Sequence, residues 1–553
     1  MEEKQTIETL QKKIFELENK IKHLEKMKWY GLRWEEKTET FEREAQNALP
    51  ILEEEKELLI DNHSELDHLI IEGDNFHALS ALNYTHKGRI DVIYIDPPYN
   101  TGNKDFIYND NYVDKEDSYR HSKWLSFMNK RLRLARNLLS EDGVIFISID
   151  DNEQANLKLL CDEVFGEENL VANLIWEKSH APKNNSKIIS TKHEYVICYG
   201  KNKTNVRFTL NPRTEKSDKD YKNPDNDPRW VWSRGSMLAP WYTEKNHFSI
   251  TFSNGKTYIP WEWKCWRYSK ETMLELEQDN RISFEPNMPR LKKFLSDMPD
   301  WIVPETILYF KDVWHWQDAN TEIYSLFWDK IFDYPKPTWL IKFVVSKHPN
   351  KNSTILDFFA WSWTTGHAVL ELNKEDGGNR QFILCSNREN TQENPDKNIC
   401  KDITYERNKR VLQGYINAKG ENIEGLGGGN LHYYKTKFIP LEENLEDLKM
   451  NFMQCCDDLL CIKENIFQFK KEESTEMMRF YQKGTNHLAI LYDMWKMETF
   501  KERLSNLEGQ IFVYLFSSCG DSCEETFLSD FENVKVQTIP EEILKVYKKI
   551  FNF

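Results

Sequence analysis

Residues 69–99 read LIIEGDNFHALSALNYTHKGRIDVIYIDPPY, and this stretch decides the fold class. Its two apolar runs, at 69–71 and 92–95, are bounded by Gly or Asp and separated by a helical pattern. A third run, GVIFISID at 143–150, follows a longer helical pattern at 122–139. Short apolar runs with helical crossovers are typical of a parallel sheet covered by helices on both faces. The sequence therefore predicts an α/β fold.

Strand-like runs resume beyond a long interruption. Residues 204–330 are rich in Trp, Tyr, Asn, Asp and Pro and show no sustained periodicity. STILDFFA at 353–360 and RQFILCS at 380–386 are again strand-like. A single sheet whose strands come from both sides of an inserted domain is the simplest account. Mixed helical and strand patterns beyond Gly429 predict a separate C-terminal α+β domain.

The N-terminal residues carry a heptad seam. Apolar residues recur at alternating spacings of three and four, with Lys and Glu between them, at Ile7, Leu10, Ile14, Leu17, Ile21 and Leu24. Isoleucine at one seam position and leucine at the other favour a parallel two-stranded coiled coil, which predicts a homodimer. A single amphipathic helix lying on its own domain explains the same spacing, since about three heptads are marginal for an isolated coil.

Charge and composition limit the classes of partner and location. The net charge of -16, taken alone, argues against a DNA partner, because phosphate contacts need local positive potential. The basic residues within 123–136 and 342–351 would either line a basic cleft or form a solvated helix face.

The 10 cysteines form no CxxC pair, which indicates reduced thiols and no zinc site. No apolar run is long enough for a membrane helix, so we expect a soluble cytoplasmic protein with no membrane partner.

The strongest chemical signal is Asp96-Pro97-Pro98-Tyr99, which follows the run at 92–95, where open α/β sheets place ligand-binding loops. An exocyclic amine on a purine is a poor nucleophile because its lone pair is delocalised. A carboxylate and a backbone carbonyl that accept its two N–H bonds direct that lone pair at an electrophile. Asp96 and the Pro97 carbonyl suit these roles, and Tyr99 offers a face on which an extruded base stacks. An ordinary Asp-Pro turn is the structural alternative.

These motifs lie within longer stretches that resemble a known family. The stretches at 69–114, 143–170, 192–203, 332–345, 353–373 and 402–415 resemble the β-class DNA amino-methyltransferases, and among them the modification subunits of type III restriction-modification systems. Together they cover most of residues 30–420. The catalytic loop at 96 precedes the cofactor loop near 357, which is the order that defines the β class.

The resemblance implies a Rossmann-like S-adenosylmethionine-dependent methyltransferase core, interrupted by a target-recognition domain. The expected organisation is a coiled-coil helix at 1–28, an N-terminal helical linker at 29–65, the catalytic half of the core at 66–203, the target-recognition domain at 204–330, the cofactor-binding half of the core at 331–420 and the C-terminal domain at 421–553.

The function that the resemblance implies is site-specific methylation of adenine N6 in double-stranded DNA. S-adenosylmethionine would be the cofactor, and an ATP-dependent restriction subunit the partner. The chain has no GxxxxGK[ST] phosphate loop, which agrees with cleavage residing in that partner. Three alternatives stay open: a solitary DNA methyltransferase, one that acts on cytosine N4, and a catalytically inactive DNA-recognition subunit. The Asp at the start of the catalytic loop favours adenine.

The resemblance also carries over site residues. The catalytic residues would be Asp96, Pro97, Pro98 and Tyr99. Asp74 would face the adenine end of the cofactor, and Lys336 would pair with the cofactor carboxylate. The methionine-binding turn would comprise Asp357, Phe358, Phe359, Ala360, Ser362, Thr364 and Thr365.

Tryptophan stands where the family pattern has glycine. The family's turn reads FAGSGTT, whereas residues 359–365 read FAWSWTT, with Trp361 and Trp363 at both glycine positions. An L-residue there risks a left-handed backbone penalty of about 1–2 kcal/mol, and an indole fills space that the ligand needs. The same exchange is expected at Trp230, Trp263, Trp301, Trp314 and Trp339.

Two hypotheses explain these tryptophans. In the first, the source organism reads UGA as glycine, and translation with the standard code writes tryptophan. In the second, the chain is a pseudo-enzyme that kept DNA recognition and lost its cofactor. Tryptophan replaces glycine at unrelated sites, in the recognition segment as well as in the cofactor turn. This favours the first hypothesis, because loss of cofactor binding alone would not replace glycines in the recognition segment.

Overall fold

The structure is a computed structural model. It describes residues 32–37, 39, 48–103, 106–108, 111–181, 188–285, 287–329, 331, 335–361, 364–390, 396–440, 451–453, 455–516, 531, 533–539 and 541–551. The predicted coiled-coil helix at 1–28 lies outside these residues. The chain forms two compact units, one of Met1–Phe208 with Thr306–Phe553 and the other of Thr209–Glu305.

The larger unit is built on one ten-stranded sheet. In chain order its strands are β1 Ala48–Glu54, β2 Asp67–Glu72, β3 Ile90–Ile95, β4 Leu139–Ile149, β5 Leu170–Glu177, β6 His193–Gly200, β7 Ile307–Leu308, β8 Thr354–Asp357, β9 Gln381–Ser386 and β10 Asn430–Pro440. Their order across the sheet is β1-β10-β2-β9-β8-β3-β4-β6-β5-β7. The six strands from β10 to β4 run parallel to one another, which confirms the predicted α/β sheet.

Helices connect and cover these strands. They are α1 Asn75–Thr85, α2 Arg120–Leu138, α3 Gln154–Phe165, α4 Trp316–Phe327, α5 Thr338–Ser346, α6 Thr364–Asp376 and α7 Glu406–Gln413. Two separate clusters of buried apolar side chains enclose the sheet, one containing Leu79, Ile93 and Leu132, and the other Val92, Leu340 and Ile355. The alternation of Val92 and Ile93 between the clusters shows why the strands are apolar without interruption: both of their faces are buried.

Two expectations for the sheet edges need correction. The helical linker expected at 29–65 contains strand β1, and the C-terminal domain expected from 421 begins with β10, which lies inside the main sheet. Strand β10 pairs in parallel with β2 and antiparallel with β1, so both segments complete the sheet. The apolar run of β1, ALPIL, is short, and β10 mixes Lys and Thr with its buried Leu431, Tyr433 and Tyr434.

The remaining C-terminal residues form a second sheet. Its strands are β11 Gln468–Phe469, β12 Met478–Lys483, β13 Asn486–Leu491, β14 Ile511–Phe516 and β15 Val534–Ile539, accompanied by helices α8 Asp457–Glu464, α9 Met497–Leu504 and α10 Glu541–Phe551. Buried Leu460, Tyr514 and Tyr547 share one apolar cluster with α1 of the core. The C-terminal region therefore packs on the core through α8 and α10.

The smaller unit, Thr209–Glu305, is a set of short β-elements with two helices, Glu215–Asp218 and Lys270–Gln278. A three-stranded antiparallel sheet of Trp232–Ser236, Pro289–Phe294 and Ile282–Phe284 packs around its own cluster, which contains Trp266 and Met273. Its cluster is separate from those of the core, which explains the loss of periodicity at this point of the sequence. Among the helices of both units that the structure describes, none is long and apolar enough to cross a membrane.

Candidate active site

The site lies where two neighbouring strands end. Strands β3 and β8 are adjacent and parallel, so Asp96, directly after β3, and Asp357, the last residue of β8, meet at one edge. From β3 the chain continues to β4 on one side, and from β8 it continues to β9 on the other. Such a point of divergence leaves a crevice outside the carboxyl ends of the strands, where open α/β sheets bind ligands.

Asp96 and Lys336 form a buried ion pair in this crevice. The Lys336 ammonium donates to both carboxylate oxygens of Asp96, each at 2.8 Å, and to the Tyr99 hydroxyl at 2.9 Å. Burial raises the pKa of Asp96, although Lys336 opposes that rise. Burial would lower the pKa of Lys336, but the carboxylates of Asp96 and Glu194 outweigh it and raise that pKa. Lys336, expected to face the cofactor carboxylate, is therefore engaged by Asp96.

Glu194 is a member of this cluster that the sequence did not reveal. It belongs to β6, and its carboxylate accepts from Tyr99 at 3.1 Å and from Lys178 at 2.9 Å. Burial works to raise its pKa, but the ammonium groups of Lys336 and Lys178 lower it below its usual value. An acid directly before the apolar run YVICY at 195–199 was the available signal, since a buried charge needs a partner.

The catalytic loop is held by contacts on both sides. The Tyr99 hydroxyl lies 2.9 Å from Asp96 Oδ1, and the buried Trp124 indole donates to the Pro98 carbonyl at 2.7 Å. Pro97 and Pro98 are both buried. Because the Trp124 contact and the fixed proline φ angles limit rotation of the loop, the Asp96 carboxylate and the Pro97 carbonyl are held in position.

The cofactor half brings most of its predicted residues to the same crevice. Asp357 accepts from the Phe359 N–H at 3.0 Å and from the Thr365 hydroxyl at 2.6 Å. Thr364 donates its hydroxyl to the Lys336 carbonyl at 2.8 Å. A cavity of about 10 Å³ is lined by Tyr94, Asp96, Lys336, Asp357, Phe359, Trp361, Thr364 and Thr365. That volume holds about one water molecule, whereas ligand pockets measure about 300–1,000 Å³.

Trp361 is one of the side chains that limit the volume of this cavity. It follows the buried Ala360, lines the cavity and packs on the apolar cluster that contains Phe359. The expected left-handed strain at this position is not found, because Trp361 lies outside the positive-φ region. The obstacle is therefore the volume of the indole and not its backbone. Ser362 and Trp363 lie outside the described residues.

Asp74 lies outside this cavity, next to the cofactor turn. It caps α1 by accepting from the Phe76 N–H at 2.7 Å, and it also accepts from the Arg131 guanidinium at 3.2 Å. The neighbouring Asn75 donates to the Phe358 carbonyl at 3.0 Å, which links the loop after β2 to the turn after β8. The structure thus brings together the loops that carry Asp74, Asp96 and Asp357 at one edge of the sheet.

A comparison with known proteins identifies the family. A family model described as DNA methylase matches residues 90–417, which is more than half of the chain. The chain belongs to the DNA methylase family. The match begins at β3 and ends after α7, so it includes both the Asp96 loop and the Asp357 turn.

Three curated relatives of this chain have informative names. It is 35% identical over 416 residues to the type III restriction-modification enzyme StyLTI Mod subunit of Salmonella typhimurium, with 69% of this chain and 62% of that protein covered. It is 30% identical to the EcoP15I Mod subunit of Escherichia coli, with 62% of each covered. The type II methyltransferase M.KpnI of Klebsiella pneumoniae is 34% identical, with 56% of this chain and 78% of that protein covered. The chain spans about three fifths of the length of the Mod subunits.

Buried Asp357 makes the stability of the protein dependent on pH. Burial raises the pKa of Asp357 to about 7, from a usual value of 3.8. The folded state then holds a proton that the unfolded state has released, so the unfolding free energy falls as pH rises from about 4 to about 7. We expect Asp357→Asn to remove up to about 4 kcal/mol of this dependence. Urea unfolding of the unaltered chain and of the variant, at pH 4.5 and at pH 8, measures this dependence. An equal decrease in unfolding free energy in the two proteins would contradict the raised pKa of Asp357.

Three tryptophans of the chain adopt backbone conformations that favour glycine. Trp230, Trp314 and Trp328 have φ angles of 81°, 60° and 65°. Trp328 directly follows α4 in the left-handed conformation, the position where helices most often end in glycine. The sequence pattern anticipated Trp230 and Trp314 but not Trp328. The predicted exchanges at Trp263, Trp301 and Trp339 have no such backbone signal.

Trp230 gives a test of this strain. Its side chain is 72% exposed, so Trp230→Gly removes a left-handed L-residue at little cost in packing. Relief of about 1–2 kcal/mol outweighs the entropic cost of glycine, about 0.5–1 kcal/mol, so we expect the variant to be more stable. Trp241, in the same unit, is 67% exposed and outside the positive-φ region, and Trp241→Gly should be slightly destabilising. Equal effects of the two substitutions in thermal unfolding would refute the idea of strain at Trp230.

Proposed function

We propose that the chain is a site-specific DNA adenine-N6 methyltransferase, the modification subunit of a type III restriction-modification system. The observation that carries the proposal is the meeting of Asp96 and Asp357 in one crevice. Asp96 suits the binding of an amine. Asp357 belongs to the turn that is expected to hold S-adenosylmethionine, which supplies a methyl group when bound. The names of the Mod relatives support the type III assignment.

The residues of the chain account for how an amine would be held. The Asp96 carboxylate and the Pro97 carbonyl accept the two N–H bonds of the adenine amine, which directs its lone pair away from the loop. Tyr99 is half-buried beside Asp96 and presents its ring to an extruded base. The amine loses its proton after attack, so no general base of shifted pKa is needed.

The sequence as written does not fit the cofactor. The polar groups of Asp357, Thr364 and Thr365 are suited to a ligand with amino and hydroxyl groups, but Trp361 occupies the space in front of them. The proposed activity therefore belongs to the form with glycine at 361 and 363. With tryptophan at both positions, a DNA-recognition subunit without catalysis is the second candidate, and the cavity of about 10 Å³ favours it.

Partners follow from the same proposal. The smaller unit, Thr209–Glu305, would read the target sequence in double-stranded DNA, and an ATP-dependent restriction subunit would bind the chain. The heptad seam would make it a homodimer.

The test uses the form with Trp361→Gly and Trp363→Gly, tritiated S-adenosylmethionine and a duplex library that contains all short sequences. Mass spectrometry of the digested DNA should find N6-methyladenine at one sequence context. The same form with Asp96→Ala should transfer no label. Label in N4-methylcytosine would overturn the adenine assignment. No label, together with sequence-specific DNA binding by the chain as written, would favour the recognition subunit.

A further inference from the structure

Three potential metal ligands meet at the opposite edge of the sheet from the active site. Asp91 lies near the start of β3, Asp142 lies before the paired core of β4, and His348 follows α5. One ligand atom from each side chain lies within 4.8 Å of the other two. Since β3 is parallel to β4, this cluster lies at the amino ends of the strands, whereas Asp96 follows the carboxyl end of β3.

His348 is the unusual member of this cluster. Its side chain is 3% exposed, and among the residues that the structure describes neither of its ring nitrogens has a hydrogen-bond partner. A buried polar group without a hydrogen bond costs about 1–3 kcal/mol, so such groups are rare. The nearest charged atom, Asp142 Oδ2, lies 3.8 Å from Nε2, which is beyond hydrogen-bond distance. One nitrogen of the imidazole thus lies within 4.8 Å of an oxygen atom of each carboxylate, without a hydrogen bond to either.

We propose that Asp91, Asp142 and His348 form a binding site for a divalent transition-metal cation. One imidazole nitrogen with two carboxylate oxygens is a ligand set for Mn²⁺, Co²⁺ or Zn²⁺, whereas Ca²⁺ and Mg²⁺ prefer oxygen ligands alone. The proposal is independent of the methyltransferase activity, because the three side chains lie at the other end of β3.

The geometry allows the ligands to close on a cation. Metal–ligand bonds to His and Asp measure about 2.0–2.2 Å, so the three ligand atoms must approach one another. Asp142 is able to move, because its side chain is 54% exposed. Asp91 is anchored, since it accepts from the Thr354 N–H at 2.8 Å. His348 and Asp91 would be the fixed ligands, Asp142 the mobile one, and water would complete the coordination. Such a site would take up a cation from solvent.

The cation would fasten the segment that carries Lys336. Helix α5 begins two residues after Lys336 and ends at Ser346, two residues before His348. A metal bound to His348, Asp91 and Asp142 would join the end of this helix to the starts of β3 and β4. The site would therefore stabilise the framework that holds the Asp96–Lys336 pair.

Calorimetric titration of the metal-free full chain with MnCl2 and with ZnCl2 tests the proposal. The chain should bind one equivalent of at least one of these metals. His348→Ala and Asp142→Asn should each weaken binding by more than about tenfold, the loss that follows even from removal of an outer-shell partner. His63→Ala is the matched control, because His63 is exposed and lies next to Asp61, and it should bind as the unaltered chain does.

A second measurement guards against misfolding of the His348 variant. Co²⁺ titration, followed by visible absorption, should show a nitrogen-ligated spectrum in the unaltered chain and in His63→Ala but not in Asp142→Asn, whose exposed position leaves the fold intact. Absence of binding by the unaltered chain would overturn the proposal. Equal binding by the unaltered chain and both site variants would also overturn it.

Discussion

The double variant Trp361→Gly, Trp363→Gly should bind S-adenosylmethionine in calorimetry, whereas the chain as written should show no measurable heat of binding. The reason is space. Trp361 lines the cavity between Asp96 and Asp357, whose volume of about 10 Å³ holds about one water molecule. Removal of the indole joins this cavity to the crevice at the carboxyl ends of β3 and β8, next to Asp357, Thr364 and Thr365.

The gain in affinity for S-adenosylmethionine should be large, because the cavity of the chain with tryptophan has no space for the cofactor. We expect at least a hundredfold gain, which corresponds to about 2.7 kcal/mol. Trp495→Gly is the matched control: its side chain is 95% exposed, it lies in the C-terminal region, and it should leave binding unchanged. Binding by the chain as written would contradict the steric argument.

The codons at 361 and 363 separate the two explanations for these tryptophans. UGA codons together with binding by the glycine form would mean that the native protein carries glycine and is an active enzyme. UGG codons together with no binding by either form would mean that the chain is a recognition subunit that has lost its chemistry. The left-handed φ of Trp314 and Trp328 fits the first explanation, because neither residue lines the cofactor cavity.

Much of the core was predictable because its strands are buried on both faces. The runs at 69–71 and 92–95 are apolar, the run at 353–360 is mostly so, and each contains or overlaps a strand of the parallel sheet. Strand β1 escaped prediction because its apolar part, ALPIL, is short, and β10 did so because its second half, which is partly exposed, mixes Lys and Thr with apolar residues.

The site was predictable at the level of loops but not of side-chain partners. Local motifs placed Asp96 and Asp357 at strand ends, and the parallel sheet brings those ends together. The partners of Lys336 depend on β6, which is antiparallel to β4 and contributes Glu194 from a distant part of the chain. No local pattern contains that information. The metal cluster at His348 was missed for the same reason, since its three ligands lie far apart in sequence.

Lys336→Met should be the most destabilising single substitution at the site. The ammonium is buried between Asp96, at 2.8 Å, and Glu194, at 3.6 Å. Its removal leaves carboxylates in a site with little water, and breaking a buried ion pair in this way costs about 3–5 kcal/mol. Urea denaturation, followed by circular dichroism, measures this loss on the chain as written, without cofactor.

A double-mutant cycle with Asp96→Asn separates the ion pair from packing. The double variant, Asp96→Asn with Lys336→Met, should recover most of the stability, because Glu194 keeps its partner Lys178 at 2.9 Å. Lys158→Met is the control: Lys158 and Asp162 form a partly exposed pair at 2.6 Å, worth about 0–1 kcal/mol. A double variant no more stable than Lys336→Met would mean that the methylene chain, and not the charge, stabilises the site.

The pH dependence of the single variant gives an independent check of the same cause. Burial already raises the pKa of Asp96, and loss of the Lys336 ammonium should raise that pKa further. The folded variant then retains a proton at a pH where the unfolded chain has released it, so its stability falls as pH rises through this window. The destabilisation by Lys336→Met should therefore be smaller at pH 5 than at pH 8. A loss that is equal at both pH values would show that neither Asp96 nor Glu194 is left as an unpaired carboxylate, and the loss would then come from the packing of the Lys336 methylene chain.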